Sequence, residues 1–159
     1  MAECNDTIIV TGSTGFIGSA LIKKFARRFA LVGFDRVTAH PPQPTVDCIY
    51  IDLASENSIA AGLQRVRTAY GSRIASVIHL AAYFDLTGEP NPLYNEITVR
   101  GTEKLLHTLQ PFEVEQFIFA SSMLAHKAGR LGDVINEDSP LQTDLPYRVS
   151  KIEAERLIH

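Results

Sequence analysis

Thr7-Ile8-Ile9-Val10-Thr11-Gly12-Ser13-Thr14-Gly15-Phe16-Ile17-Gly18 is the stretch that decides the fold. Its first four residues are β-branched and mostly apolar, the pattern of a short buried strand. Its last residues open a run in which Ile17, Ala20, Leu21, Lys24, Phe25 and Ala26 recur at helical spacing. Strand, glycine turn and helix, in that order, form the context in which a dinucleotide is bound. Gly12 permits the tight turn, Gly15 lets the backbone approach a pyrophosphate, and Gly18 allows close packing of helix on strand. The helix N-terminus adds free N–H groups and a partial positive charge for the phosphates. The glycines are spaced G-x-x-G-x-x-G rather than G-x-G-x-x-G, so the match rests on context.

Leu31-Val32-Gly33-Phe34 reads as a second buried strand, closed by Asp35, 23 positions after Gly12. An acid there can accept both hydroxyls of an adenosine ribose and would repel a 2′-phosphate. Arg36 follows and could instead pair with that phosphate. NAD is the expected cofactor, with NADP left open through Arg36. Beyond the run His40-Pro41-Pro42-Gln43-Pro44, too proline-rich for a helix, Cys48–Ile51 forms a third strand. Ser55-Glu56-Asn57-Ser58 starts a helix with capping residues, Ile59, Leu63, Val66 and Tyr70 give it an apolar stripe, and Gly71 ends it. Ala75–Leu80 is a fourth strand, a helix runs from about Pro92 to Gln110 until Pro111 stops it, and Gln116–Ala120 is a fifth. Strands alternating with helices predict an α/β, Rossmann-like, doubly wound parallel sheet of about five strands with helices on both faces.

Tyr147-Arg148-Val149-Ser150-Lys151 then supplies chemistry. Residues four apart share a helix face, so the phenol and the ammonium are within reach of each other. A free phenol titrates near pH 10 and exchanges protons poorly at neutrality. An ammonium about 5 Å away, at an effective ε of about 20, favours a phenolate by roughly 3 kcal/mol. That is the arrangement of a proton donor and acceptor.

With these elements together, the chain resembles the extended short-chain dehydrogenase/reductase family, the NAD-dependent epimerase/dehydratase group. Residues 11–18 are similar to its TGxxGFIG turn, and Asp52-Leu53 to its adenine-contacting acid and neighbour. His79-Leu80-Ala81-Ala82 resembles its HxAA segment, and Thr98-Val99-Arg100-Gly101-Thr102 its NVxGT helix. Phe117–Ser122 resembles the strand carrying a catalytic serine, and Tyr147 and Lys151 match YxxxK. The resemblance implies cofactor contacts from Gly12, Thr14, Gly15, Phe16, Ile17, Gly18, Asp35, Arg36, Asp52, Leu53, Leu80, Ala81, Ala82, Tyr147 and Lys151. It implies catalysis by Ser122, Tyr147 and Lys151, with Tyr147 moving the proton, Lys151 holding the nicotinamide ribose and Ser122 orienting the substrate oxygen. It also implies a homodimer in the full-length form. Two departures stand out: Thr98 where the family usually has Asn, and Ala125-His126-Lys127 where many epimerases have Val-Tyr-Gly. His79 is expected to hold a loop rather than act as a base, and His126 to be a solvated loop residue. The spacing of Asp85 and Glu89 assigns them no role.

At 159 residues, 45% of them hydrophobic, one domain over 1–159 with a real core is expected. A formal net charge of −3 gives no basic footprint for nucleic acid. Cys4 and Cys48 suggest neither a disulfide framework nor a metal site. No signal peptide or long apolar stretch is visible, so no membrane partner and a cytoplasmic setting are expected. Family members run to about twice this length and the chain stops in the helix carrying Tyr147, so the C-terminal substrate-binding part is expected to be absent and the fragment inactive alone. Three functions stay open. One is a nucleotide-sugar epimerase or dehydratase; another is an NAD(P)H-dependent reductase or dehydrogenase of a non-sugar alcohol or ketone. The third is a non-catalytic dinucleotide-binding protein, against which the intact Ser122, Tyr147 and Lys151 argue.

Overall fold

The computed structural model describes residues 6–36, 43, 45–85, 87–127, 129–130 and 132–158. Cys4 and most of the proline run lie outside the described residues. In chain order the elements are β1 (Thr7–Thr11), α1 (Phe16–Phe25), β2 (Ala30–Asp35), β3 (Asp47–Tyr50), α2 (Glu56–Tyr70), β4 (Arg73–Ile74) and β5 (Ser76–His79). A π-helical stretch, Tyr94–Val99, runs into α3 (Arg100–Leu109). Then come β6 (Glu113–Val114), β7 (Phe117–Phe119), a 3-10 turn (Met123–Ala125) and α4 (Pro146–Arg156). Residues up to Ala81 with Lys104–Ala120 form one compact unit; Ala82–Glu103 with the residues from Ser121 onward form the other.

The first unit contains the expected sheet, five parallel strands in the order β3-β2-β1-β5-β7. Strand order reverses between β1 and β5, so the crevice at their C-terminal ends is where a doubly wound sheet takes a ligand. Register pairs Val10 with Gly33 and Ile78, and Ile9 with Val32 and Val77. Neighbours in register share a face, so the sheet has two apolar sides. Val10, Leu31, Ile8, Ile78 and Leu80 meet Ile22, Leu21 and Phe25 of α1 on one side. On the other, α2 lies so close that a Cβ on Gly62 would strike the Ile51 side chain. The Lys104 ammonium ties α3 to the loop before α2 through the Ala54 carbonyl at 2.6 Å, and Arg67 lies 4.5 Å over the Phe112 ring. Ser55 caps α2 by accepting the Ser58 N–H, and Gly71 ends it at φ 92°, both as expected.

The sequence reading missed a second, two-stranded pairing of β4 with β6, backed by an Arg73–Glu115 ion pair. Two residues per strand carry too little periodicity to announce themselves. The helix expected over 92–110 is present, but its first turns are π-helical. In the second unit these π turns pack on α4, with the Tyr94 and Tyr147 ring centroids 6.4 Å apart.

Candidate functional site

The glycine turn leaves β1 at Thr11, a residue only 1% exposed. Thr11 Oγ1 accepts the N–H groups of Leu80 and Ala81, both at 3.1 Å, and lies 2.7 Å from His79 Nδ1. The ends of the two switch-point strands are thereby clamped together. His79 is fully buried, its ring between those of Phe117 and Phe119 at 5.9 and 5.8 Å. Through Thr11 it ties the end of β5 to the glycine turn, the holding role expected of it.

Gly12 turns the chain at φ 68°, and a Cβ there would press to 3.0 Å on the Ala81 nitrogen. At Gly18 a Cβ would strike the Gly12 carbonyl and stand 2.9 Å from Ser13 Cα. Gly33 adds a requirement the sequence reading missed. A Cβ there would lie 2.7 Å from the buried Ser13 hydroxyl and 3.1 Å from Cys48 Sγ, so the turn is seated on a bare strand position. A glycine inside an apolar strand was the available signal. Burial pushes the Cys48 thiol pKa up, and Asp35 and Asp47 act in the same direction against the nearby Ser13 hydroxyl.

Helix α1 starts from Gly15 with no side-chain cap and no acid in its first turn, which keeps its N-terminal N–H groups and positive dipole end for an external anion. Phe16 and Ile17 project beside it, 94% and 61% exposed. At the end of β2 the Asp35 carboxylate accepts the Thr14 N–H and hydroxyl on Oδ2, each at 2.9 Å, and the Arg36 N–H on Oδ1 at 2.8 Å. An ionised carboxyl has about four acceptor positions, so Asp35 pins the turn and retains capacity for a hydroxyl. Arg36 is exposed. Asp52 Oδ1 accepts the Ala54 N–H at 3.0 Å, and Leu53 is buried, so this pair shapes the loop before α2. These residues fit a dinucleotide: a bare, uncapped helix start, a turn without room for side chains, and an acid one strand away.

The second unit holds the other candidates. Ala82 is partly buried at its start. Tyr147 and Lys151 lie one turn apart on α4, whose first residue is Pro146. The Tyr147 ring meets Phe84 edge-on at 4.9 Å, and Phe84 is 55% exposed. Lys151 is only 3% exposed. Burial pushes its pKa from 10.5 down to about 8, opposed by Glu155. Ser122 caps the 3-10 turn by accepting the Leu124 N–H at 3.2 Å. It lines a cavity of about 390 Å³ with Ser121, Met123, His126, Ile135, Asn136, Glu137 and Glu155. His126 is not a solvated loop residue: its Nδ1 lies 3.0 Å from the Ser139 carbonyl, and it forms an antiparallel bridge with Leu141. Thr98, the departure from Asn, is buried; its hydroxyl accepts the Tyr83 N–H at 3.0 Å and anchors the loop after Ala82. In that loop, hydrogen bonds from Thr87 hold the Asp85 carboxyl below its usual range. Asp85 therefore orders the loop, accepting from Thr87 N–H at 2.6 Å and Tyr83 OH at 3.2 Å.

Among the described residues no group of three or more His, Cys, Asp or Glu could hold a metal ion, and no helix is long and apolar enough to cross a membrane.

Residues 8–159 match the model of the NAD dependent epimerase/dehydratase family. A 3-beta-hydroxysteroid dehydrogenase of Mycolicibacterium neoaurum is 27% identical over 95% of this chain and 42% of its own length. A dTDP-D-glucose 4,6-dehydratase of Dictyostelium discoideum is 27% identical over 95% of this chain and 39% of its own length. A putative UDP-glucose 4-epimerase of Methanocaldococcus jannaschii is 26% identical over 95% of this chain and 49% of its own length. The chain thus spans less than half the length of these relatives. Among solved structures, the NAD complex of UDP-glucose 4-epimerase from Thermus thermophilus superposes with a TM-score of 0.82 at 24% identity, over 96% of this chain and 49% of that one. Uronate dehydrogenase from Agrobacterium tumefaciens superposes with a TM-score of 0.79 at 22% identity, over 97% and 55%. At these identities the superpositions speak for the fold.

Proposed function

Because this chain belongs to the NAD-dependent epimerase/dehydratase family, we propose that it is the nucleotide-binding part of an enzyme coupling hydride transfer on NAD to proton transfer at Tyr147. The observation that carries the reading is a buried lysine one helical turn from Tyr147, on a helix that a binding module would have no need to equip this way. Gly12, Thr14, Gly15 and Gly18 would take the pyrophosphate, with Phe16 and Ile17 flanking it, and Asp35 the adenosine ribose. Leu80, Ala81 and Ala82 would line the path toward the nicotinamide ribose. The bound cofactor supplies the hydride acceptor and donor. Tyr147 Oη would take the proton from a substrate hydroxyl on oxidation and return it on reduction. Lys151 Nζ would hold the ribose hydroxyls, and Ser122 Oγ would orient the reacting oxygen.

For the substrate, a nucleotide sugar undergoing epimerisation or dehydration is supported by the sugar-nucleotide relatives. A dehydrogenase of a non-sugar alcohol is the second reading. It is favoured by the hydroxysteroid dehydrogenase relative and by the half-exposed Phe84 ring standing against Tyr147. Calorimetric titration with NAD and NADP tests the cofactor assignment. NAD should bind more tightly, and Gly15→Val should weaken it by placing a side chain in the pyrophosphate's position. Equal or tighter binding of NADP would overturn the role of Asp35 and promote Arg36. In a chain that extends past residue 159, oxidation of a 3β-hydroxysteroid should accumulate reduced cofactor, read by its absorbance, whereas epimerisation or dehydration of a UDP-sugar returns the hydride and is read by chromatography of the sugar product.

A further inference from the structure

We propose that Glu155 is a positioning residue of this site, the counter-charge of the buried Lys151 and the tie between α4 and the segment that carries Ser122. The proposal rests on the reading of Tyr147 and Lys151 as the reacting pair.

Glu155 lies one turn beyond Lys151, on the same helix face. Its Oε2 accepts a hydrogen bond from the Ser121 hydroxyl at 3.4 Å, across 34 residues of sequence. It lines the same cavity as Ser121, Ser122 and His126. Helix physics does not account for an acid here. Glu155 occupies the last turn of α4, where the negative end of the dipole disfavours a carboxylate. The order lysine then glutamate is also the weaker orientation for an i,i+4 pair. A residue that breaks the local rule and reaches a distant partner is serving the tertiary site.

The electrostatics agree. Desolvation drives Lys151 toward its neutral form, and Glu155 acts against it. Titratable groups nearby among the described residues include Tyr147 one turn back, Tyr94 of the π-helical stretch in ring contact with Tyr147, and His126 and Glu137 on the wall of the cavity that Glu155 lines. Arg148 is engaged by Asp144 at 2.7 Å, and Glu153 faces a separate cavity beside Tyr94. Glu155 thus raises the share of Lys151 that is an ammonium near neutral pH, and without it Lys151 would present fewer donors there.

The test compares Glu155→Gln, which keeps shape and an acceptor for Ser121, with Ser121→Ala, which keeps the charge. Both are made in the chain as it stands. The Lys151 ammonium is titrated by NMR of [13C]lysine-labelled protein, its signal assigned with Lys151→Met. The midpoint should fall by roughly one pH unit in Glu155→Gln, the size of a Coulomb coupling across one helical turn near a surface. In Ser121→Ala it should stay close to the parent's. NAD affinity of Glu155→Gln should drop several-fold at pH 8 and recover at pH 6, a recovery that a merely structural defect would not show. An unmoved midpoint in a folded Glu155→Gln protein overturns the proposal. Failure of the parent chain to bind NAD would instead strike the functional reading and leave the Lys151 titration standing as its own result.

Discussion

Replacing Lys151 by methionine should make the protein more stable at neutral pH while weakening its hold on NAD. Lys151 is 3% exposed, and burial brings its pKa from 10.5 down to about 8. At about 1.4 kcal/mol per pH unit, the fold disfavours the ammonium by at most about 3 kcal/mol relative to the unfolded chain. Because the folded value lies below the unfolded one, the unfolded chain binds more protons between about pH 8 and pH 10.5. Stability contributed by this group therefore rises with pH across that window, and the penalty is fully present below it. Methionine fills nearly the same volume and carries no charge. Removing the lysine leaves Glu155 without its counter-charge, so the net gain at pH 7 should be on the order of 2 kcal/mol or less. Urea unfolding of parent and variant at pH 7 and pH 10, followed by circular dichroism, measures this. The variant's advantage should be clear at pH 7 and nearly gone at pH 10. A variant less stable than the parent at pH 7, or a gap equal at both pH values, would refute the reasoning.

Gly18→Ala should destabilise by about 1–3 kcal/mol in denaturant unfolding, because its methyl group meets the Gly12 carbonyl and Ser13 Cα rather than a side chain that can move aside. Asp35→Asn should cost about 1–3 kcal/mol, since an amide NH2 would face one of the N–H groups that the carboxylate now accepts. In the same variant, calorimetry should show the preference for NAD over NADP narrowed or reversed. If the chain continues past residue 159, Tyr147→Phe should abolish turnover and leave NAD affinity nearly unchanged; unimpaired turnover would remove the proton-transfer role.

The elements of the sheet were legible in the sequence because they are announced within a few residues. Short apolar runs mark β1, β2 and β5; Ser55 and Gly71 bound α2; Pro111 stops the helix that precedes it. The glycine turn was legible for the same reason, since the demand for bare backbone is met by residue identity. The family resemblance named Tyr147, Lys151 and Ser122, but not the environment that would make them work. That Lys151 is buried, that His79 is clamped to Thr11 and shut between two phenylalanine rings, and that His126 is tied to Ser139 depend on groups far away in the chain. The π-helical turns left no periodic mark, and nothing in the sequence around Glu155 announces the Ser121 hydroxyl that the fold brings to it. Local steric preference and period act over one or two turns of chain and are therefore written in sequence. Desolvation and Coulomb coupling depend on who is near in space, and only the tertiary structure decides that.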